Sequence, residues 1–298
     1  MSYVHFGANL FPGEALGCGP GCLCRPCRSA AARSGQLLAQ GTENLGNLGW
    51  DTQFLPLSTR EGHEILTRRA LENGRIEFRV GSQPRERRLS AREQQEIVRG
   101  NAYTDTKYLE RARRVVLVSP GGSLIPIVQH AVATFSDEEQ RHHALRGGFQ
   151  LPQGQALTDI VNDLQRQHRE ILAESNPINQ LRKIGQALHL IQDSYCPAHI
   201  DRETAEGHPA RWCIKYIRHF YHNDTQQQEH RLPDDRDQVN RHQVHASQAV
   251  LASRSYLQLV FKAIYGRTTR DPVAITESAT ELGRFIAGHF RRCNGRAS

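Results

Sequence analysis

The sequence lacks a long apolar run, and this absence limits what the protein can be. Hydrophobic residues make up 38% of its 298 residues, and no stretch approaches the roughly 18 apolar residues that a membrane-spanning helix needs. The N-terminus, MSYVHFGANLFPGEALGCG, has no basic segment followed by an apolar one, so it is not a standard secretory signal. We therefore expect no transmembrane segment, and either a cytoplasmic location or export by a specialised route.

Lysine is also scarce. The sequence has only four lysines among its 38 basic residues, so the net charge of +7 comes mostly from arginine. The planar guanidinium binds phosphate through two hydrogen bonds, which suits phosphate-bearing partners such as lipid head groups or nucleic acid. An ordinary solvated surface explains the same composition, so charge alone does not decide the partner.

Cysteine is present but unevenly placed. Four of the seven cysteines lie in the segment CGPGCLCRPC, and no second pair follows at zinc-ribbon spacing. These four could bind a metal or pair as disulfides. We interpret the other three as core residues or chance occurrences. The crowded cysteines are Cys18, Cys22, Cys24 and Cys27, and the isolated ones are Cys196, Cys213 and Cys293.

Residues 1–49 differ in character from the rest of the chain. They are rich in Gly and Cys and show no hydrophobic periodicity, which is typical of a tail or a pro-segment. From residue 50 the pattern is helical, and we predict a single all-α domain of many helices over 50–298. Three capping-box pairs predict helix starts. They are Ser58 with Glu61, Ser90 with Glu93, and Ser136 with Glu139. The helix after the third pair is expected to stop at Gly147.

The second half of the chain predicts longer helices. One runs from about Gln155 to Glu174, and the next begins with Asn176 as its cap and Pro177 in its first turn. Two more follow, one ending near Gly266 and one starting at Asp271 and reaching about residue 292. Only RIEFRV (75–80) and RVVLVS (114–119) are candidate strands.

The segment ALHLIQDSYCPAH (187–199) carries the first candidate for a metal site. His189 and Asp193 are four residues apart, so both side chains project from one helix face, beside an apolar stripe. A carboxylate there is costly to bury without a partner, and a cation would remove that cost. Pro197 is expected to end the helix, so that His199 turns back toward the same region.

Further histidines and carboxylates elsewhere fit the same chemistry, because hydrolytic zinc sites combine neutral imidazoles with carboxylates. His63 shares a helix face with Leu66 and Ala70, although a lone His on such a face is usually a satisfied core residue. The other candidates are the adjacent pair His142 and His143, the pair His230 and Asp234 four residues apart, and Asp105 after GNAYT.

The segment GQALHLIQDSYCPAH resembles the central motif of the zinc-dependent phospholipases C, an all-α family whose fold is shared with the fungal single-strand-specific zinc nucleases. The shared pattern is His189, Asp193 and His199 with an intervening proline. Trp50 precedes His63 by thirteen residues, the spacing of the bacterial phospholipases C, and GNAYTD is similar to the segment that carries the family's Asp ligand. The resemblance covers about residues 50–240 at the level of motifs.

The resemblance implies three zinc ions and a set of ligands for each ion. We favour His143 over His142, because the family's ligand stands just before a small or hydrophobic residue, and His130 is a further candidate. Pro233 lies between His230 and Asp234 and prevents a regular helix there. The first zinc would be held by Asp105, His142 or His143, His189 and Asp193, the second by His199, His230 and Asp234, and the third by His63, Asp193 and the backbone of Trp50.

The resemblance implies a phospholipase C that cuts the glycerol side of the phosphate, releasing diacylglycerol and a phosphorylated head group at a membrane surface. Asp105 would bind zinc and also orient or deprotonate the attacking water. A single-strand nuclease is the alternative enzyme. The positive net charge favours the nuclease, because basic surfaces attract polyanions. The Trp50 to His63 spacing argues against the nuclease. A non-enzymatic all-α zinc-binding protein is the third possibility, although closed structural zinc sites are commonly Cys-rich.

Trp50 raises a separate question about the N-terminal segment. In the family a free α-amino group binds the third zinc, whereas the nitrogen of an internal Trp50 is an amide with a delocalised lone pair. Either residues 1–49 are removed between Gly49 and Trp50, or the chain uses two zinc ions. We favour removal, because the composition changes where the Trp50 to His63 spacing begins.

Overall fold

The computed structural model describes residues 62–116, 137–147, 151–197, 199–204, 212–218 and 243–293, with side chains described except at 105–116, 137–139 and 204. This part of the chain is mostly α-helical, which confirms the predicted fold class in its broad form. The helices are α1 (Gly62–Leu71), α2 (Ala91–Val116), α3 (Asp137–His142), α4 (Gln153–Ala173), α5 (Pro177–Asp193), α6 (Gln243–Thr269) and α7 (Pro272–His289). The strands are β1 (Arg75–Val80), β2 (Gln83–Arg88), β3 (Ile200–Thr204) and β4 (Trp212–Ile217).

Local side-chain caps fix the starts of the long helices. The Ser90 and Glu93 box forms as predicted: Ser90 N donates to Glu93 Oε2 at 2.8 Å and Glu93 N donates to Ser90 Oγ at 3.3 Å. Asn176 Oδ1 accepts from the first amides of α5, and Asp271 Oδ1 does the same for α7. These caps satisfy amides that have no partner inside the helix, which confirms the two predicted starts at Asn176 and Asp271.

Helix α5 lies at the centre of the described fold, packed against α2, α4, α6 and α1. Its crossing with α2 brings two backbones into contact. A Cβ at Gly185 would lie 2.1 Å from the Ile97 carbonyl oxygen, and one at Gly100 would lie 2.0 Å from the Arg182 carbonyl oxygen. The two glycines therefore allow α2 and α5 to approach more closely than side chains permit.

The strands agree with the sequence in one place and differ in others. RIEFRV forms β1 as predicted, and it pairs antiparallel with β2. RVVLVS is wrong as a strand over Arg114–Val116, because α2 continues through these residues. Once a helix is nucleated, adding a residue requires little free energy, so two β-branched valines do not stop it. Strand β2, with all six residues exposed, has no apolar alternation that would predict it.

Strands β3 and β4 form a second antiparallel pair that the sequence did not predict. Arg292 extends it through a parallel bridge to Ile214 in β4. A disulfide joins Cys213 to Cys293, with Cα atoms 4.8 Å apart and a sequence separation of 80. The interpretation of these two cysteines as isolated is therefore wrong, whereas Cys196 is buried, which agrees with its interpretation as a core residue.

Two helix ends fall earlier than the sequence indicates. Helix α5 ends at Asp193, before Pro197, because the amides of Tyr195 and Cys196 turn to the carbonyls of Gln192 and Asp193. Helix α3 ends at His142 and does not reach Gly147. Ala144, two residues later, has a positive φ of 51°, which is incompatible with a continuing right-handed helix.

The core lies between α5 and its neighbours and is made of aliphatic side chains. Its fully buried members include Leu66, Ile97, Ile160, Ile184, Leu188 and Ile191.

Within the described ranges, no helix combines the length and apolar character needed to cross a bilayer.

Candidate metal centre

Asp193 is the last residue of α5 and lies inside the protein. Its side chain is 1% exposed, and His189, one turn earlier on the same face, is fully buried. The apolar stripe of α5 turns this face toward the core. The four-residue spacing therefore places an imidazole and a carboxylate together in the protein interior.

Four histidines surround the Asp193 carboxylate. Oδ1 lies 3.2 Å from His63 Nε2 and 3.4 Å from His199 Nδ1. Oδ2 lies 3.1 Å from His189 Nε2 and 3.2 Å from His143 Nδ1. These five residues, here called the Asp193 cluster, come from α1, the segment after α3, α5 and the turn before β3.

The hydrogen bonds of His189 identify its protonated nitrogen. Nδ1 lies 3.1 Å from the Asn101 carbonyl oxygen, which can only accept a hydrogen bond. Nδ1 therefore carries the proton, and Nε2 presents a lone pair toward Asp193 when the ring is neutral. The close approach of α2 and α5 at Gly100 and Gly185 positions this carbonyl.

His63 has the same arrangement, whereas His199 faces Asp193 with Nδ1, the nitrogen that also reaches a backbone carbonyl. His63 Nδ1 lies 2.8 Å from Gln192 Oε1, and Gln192 Nε2 donates to Thr67 Oγ1 at 2.9 Å, which fixes the orientation of the amide. His199 Nδ1 lies 2.6 Å from the His143 carbonyl oxygen. In both rings Nδ1 donates to an oxygen and Nε2 keeps its lone pair, as is usual for histidines that bind metals.

The electrostatics of this arrangement require positive charge. Burial alone raises the pKa of Asp193, but nearby His199, His189 and His63, and a hydrogen bond from His143, outweigh burial and hold its pKa well below the usual value. Asp193 is therefore ionised. Neutral rings would place the Nε2 lone pairs of His63 and His189 beside a buried anion, and His189 Nε2 also lies 3.1 Å from His143 Nδ1. A proton on one of these rings or a bound cation would relieve the repulsion.

The residues fit a metal ion. The ligand atoms of His63, His189 and Asp193 lie within 4.8 Å of one another, and all three side chains are buried. Asp193 Oδ1 is buried without a hydrogen bond from the described residues, so it remains an acceptor for a cation. Imidazole nitrogens with a carboxylate are the donor set that zinc takes in catalytic sites. The structure thus contains a group that could hold a metal ion.

The structure separates the adjacent histidines. His143 points into the Asp193 cluster, whereas His142 Nδ1 lies 2.8 Å from Asp163 Oδ2 on α4. Asp163 also accepts from Arg166 and from Gln167 Nε2. His142 is therefore held in a separate ion-pair network, and the described cluster uses His143.

Several candidate ligands fall outside the described residues. The backbone of Asp105 belongs to α2, but its side chain is not described. The remaining candidates lie in undescribed segments, and these are Trp50, His130, His230 and Asp234. The described cluster therefore covers His63, His143, His189, Asp193 and His199 of the expected set.

No sequence pattern marked the groups that orient the rings. Asn101 contributes its backbone carbonyl to His189 and donates from Nδ2 to Gln192 Oε1 at 3.1 Å. Gln192 and Thr67 then fix His63. No spacing rule connects these positions, because the contacts depend on how α1, α2 and α5 cross. Asn101 does fall within GNAYTD, the segment singled out for Asp105.

Two other features do not contribute to this centre. A cleft of 840 Å³ lies between the β1–β2 hairpin and helices α6 and α7, and none of the Asp193 cluster lines it. Glu203 lies beside Cys213 and Cys293, but the two sulfurs are joined in a disulfide and offer no thiolate.

No protein-family model, curated protein or solved structure matches this chain. The functional conclusion therefore depends on the geometry of the Asp193 cluster and on the motif resemblance found in the sequence.

Proposed function

We propose that the protein is a zinc-dependent phosphodiester hydrolase of the phospholipase C type. The observation that carries this proposal is the buried Asp193 carboxylate among four histidines, with the Nδ1 atoms of three rings held by oxygen acceptors. A cluster of this composition is costly to bury as a purely structural feature. Its ring orientations are those of metal ligands.

The proposed ligand set extends the described cluster. His143, His189 and Asp193, together with Asp105, would hold one zinc. His63 and Asp193 would hold another with the nitrogen of Trp50, and His199 would hold a further zinc with His230 and Asp234. The contacts of Asp193 Oδ1 and Oδ2 with different histidines support its role as a bridging ligand.

The proposed chemistry divides between the metal and the chain. Bound zinc lowers the pKa of coordinated water to about 7 and neutralises phosphate charge. The protein residues fix the ligands: Asn101 and Gln192 orient His189 and His63. Asp105 accepts the proton of the attacking water or orients it. The buried setting strengthens these electrostatic interactions relative to bulk water.

A phospholipid is the proposed substrate, with cleavage on the glycerol side of its phosphate. The support is the Trp50 to His63 spacing and the similarity of residues 185–199 to the phospholipase C motif. A nucleic-acid phosphodiester is the competing substrate, supported by the net charge of +7. Both need the same cluster, so only an assay distinguishes them.

The test uses a chain that starts at Trp50 and compares its zinc-loaded, chelator-treated and zinc-restored forms on phosphatidylcholine vesicles and on single-stranded DNA. We expect zinc-dependent release of diacylglycerol from the vesicles and no comparable cleavage of DNA. DNA cleavage without lipid hydrolysis would assign the nuclease function instead. Hydrolysis of neither substrate by zinc-containing protein would refute the enzymatic proposal.

A matched pair of variants connects activity to the cluster. His189→Ala removes a buried ring of the Asp193 cluster, whereas His168→Ala removes a buried ring that contacts Tyr256. We expect the first variant to lose activity and the second to retain it once folded. Equal losses at matched folded fractions would separate the activity from the cluster.

We also propose that the active chain begins at Trp50. Cleavage there would convert the amide nitrogen of Trp50 into an amine that can bind zinc. N-terminal sequencing of the protein from its natural source should give Trp50 as the first residue. Full activity of a chain that starts at residue 1 or 2 would contradict this.

A further inference from the structure

Arg202 is a buried cation three residues beyond His199. It lies in β3, and its side chain is 6% exposed. Among the described residues no carboxylate pairs with it, and its Nη1 has no hydrogen-bond partner. Burying a guanidinium without a counter-ion is costly, so its contacts must compensate for that cost.

The contacts of Arg202 are concentrated at the end of α5. Nε donates to the Ser194 carbonyl oxygen at 2.6 Å, and Nη2 donates to Ser194 Oγ at 3.3 Å. Ser194 is the C-cap residue, immediately after Asp193. The last carbonyls of a helix lack partners within it and form the negative end of its dipole. The guanidinium therefore caps the helix that ends with Asp193.

The adjacent Tyr195 completes the environment of this cation. The guanidinium carbon lies 4.2 Å from the centroid of the Tyr195 ring, a cation–π distance. The Tyr195 hydroxyl lies 2.5 Å from His289 Nδ1, near the end of α7. Burial, assisted by the charge of Arg202, lowers the pKa of His289 to about 4. The Tyr195 hydroxyl donates a hydrogen bond to Nδ1 of the neutral ring, so α7 holds the Tyr195 ring in place.

We propose that Arg202 is a positioning residue that holds the turn 194–199 closed, so that Asp193 and His199 remain together in the Asp193 cluster. The chain leaves α5 at Asp193 and brings His199 back until its Nδ1 lies 3.4 Å from Asp193 Oδ1. Arg202 joins the strand that follows His199 to the residue that follows Asp193. The effect on metal binding rests on the proposed function. The contacts of Arg202 with Ser194, here called the clamp, form without metal.

The geometry requires arginine specifically. The two hydrogen bonds come from different nitrogens of one rigid plane, and the same plane faces the Tyr195 ring. A lysine ammonium is a point charge on a flexible stem and cannot reproduce this combination. Arg202→Lys therefore keeps the charge while removing the clamp.

The test combines metal binding with hydrogen exchange in Arg202→Lys. Groups that orient ligands from outside typically contribute 10- to 100-fold to metal affinity, so we expect zinc affinity to fall by about that factor. The cobalt-substituted variant should show an altered visible absorption spectrum. In the metal-free protein, the amides of Cys196, His199 and Ile200, which form the hydrogen bonds of the turn, should exchange faster than in the parent.

Lys262→Met is the matched control. Lys262 is also a buried cation, but its partners are Glu277 and Glu281, away from the cluster. This variant should lose stability while keeping zinc affinity, the cobalt spectrum and exchange in the turn.

The outcomes separate the clamp from the proposed function. Unchanged zinc affinity, cobalt spectrum and turn exchange in folded Arg202→Lys would overturn the inference, whatever its melting temperature. If the parent protein binds no zinc, the proposed function fails. Faster exchange of the turn in Arg202→Lys alone would then still support the clamp, and unchanged exchange would refute it.

Discussion

Two buried aspartates, Asp163 and Asp193, show the difference between a completed ion pair and a metal ligand. Asp163 is 8% exposed, and its two oxygens accept from His142, Arg166 and Gln167. Arg166 carries a permanent charge, so this carboxylate is neutralised within the described residues. It needs no further cation.

Asp193 has histidines around it instead. His63 and His189 direct Nδ1 to an oxygen outside the carboxylate, His199 Nδ1 lies near both a backbone carbonyl and Oδ1, and Oδ1 receives no described hydrogen bond. Within the described part of the chain, an ionised Asp193 is neutralised by protons on these rings, unless a bound cation does so. A structural ion pair and a binding site therefore differ in the partners of the buried carboxylate, more than in its burial.

Asp193→Asn should give the largest effect. Structural zinc sites bind with about 10–16 kcal/mol shared among about four ligands, so losing Asp193 should cost about 4 kcal/mol, or about 1,000-fold in zinc affinity. Equilibrium competition with a zinc chelator measures the change. Asp163→Asn is the control and should keep the parent affinity. Equal losses in both variants would remove the distinction between the two aspartates.

Gly185→Ala tests the helix crossing that supports Asp193 but not Asp163. Its Cβ would lie 2.1 Å from the Ile97 carbonyl, a backbone atom that cannot move away alone. We expect a stability loss of about 3 kcal/mol, near the upper end for overpacking. Zinc affinity should also fall, because the Asn101 carbonyl moves with α2.

Gly283→Ala is the matched helical control. No atom lies within 4 Å of a Cβ there, so alanine should stabilise the chain by about 0.5–1 kcal/mol. Denaturant unfolding measures both glycine variants. An unchanged Gly185→Ala protein would contradict the described crossing of α2 and α5.

Two glutamines provide a more selective test. Gln192 Oε1 accepts from His63, whereas Gln167 Nε2 donates to Asp163. Gln192→Leu removes the group that fixes the His63 ring and should weaken zinc binding by about 10- to 100-fold. Gln167→Leu should leave zinc binding unchanged. Competition titrations that rank the two variants in the opposite order would reverse the roles assigned to the two sites.

A smaller effect is expected from Asp163, whose ion pairs should make the free energy of unfolding depend on pH in the acid range. Burial raises its pKa, but the hydrogen bond and charge of His142, with further bonds from Arg166 and Gln167, lower its pKa from 3.8 to about 2. The folded chain therefore binds fewer protons than the unfolded chain between these values. The contribution is complete above about pH 4 and is lost as pH falls through 2.

Asp163→Asn removes this contribution, which corresponds to about 2 kcal/mol at neutral pH. Unfolding measured from pH 5 to 2 on chelator-treated protein should give a flatter acid limb for the variant. Parallel curves for parent and variant would mean that Asp163 does not keep its described partners.

The sequence predicted features that depend on neighbouring residues. The caps at Ser90, Asn176 and Asp271 involve residues two or three positions away, and the structure contains all three. The same local rule placed His189 and Asp193 on one face. Strands β3 and β4 and the disulfide between Cys213 and Cys293 depend on contacts across long chain separations, which spacing alone does not show.

The orientation of the site was beyond the sequence for the same reason. The carbonyl of Asn101 reaches His189 only because α2 and α5 cross at two glycines. Nothing in the spacing marked Arg202 as the residue that caps α5. A ligand pair on one helix is thus predictable, whereas the groups that fix its tautomers arise from tertiary packing.

Zinc content, with the thermal response to zinc, tests the central claim most directly. Protein stripped with a chelator should take up at least one zinc ion per chain. Free zinc at a concentration of 100 times its Kd should stabilise the fold by about 2.7 kcal/mol. His168→Ala should keep this response, whereas His189→Ala should lose it. A parent protein that takes up no zinc above background and shows no shift in melting temperature would contradict a metal centre at Asp193.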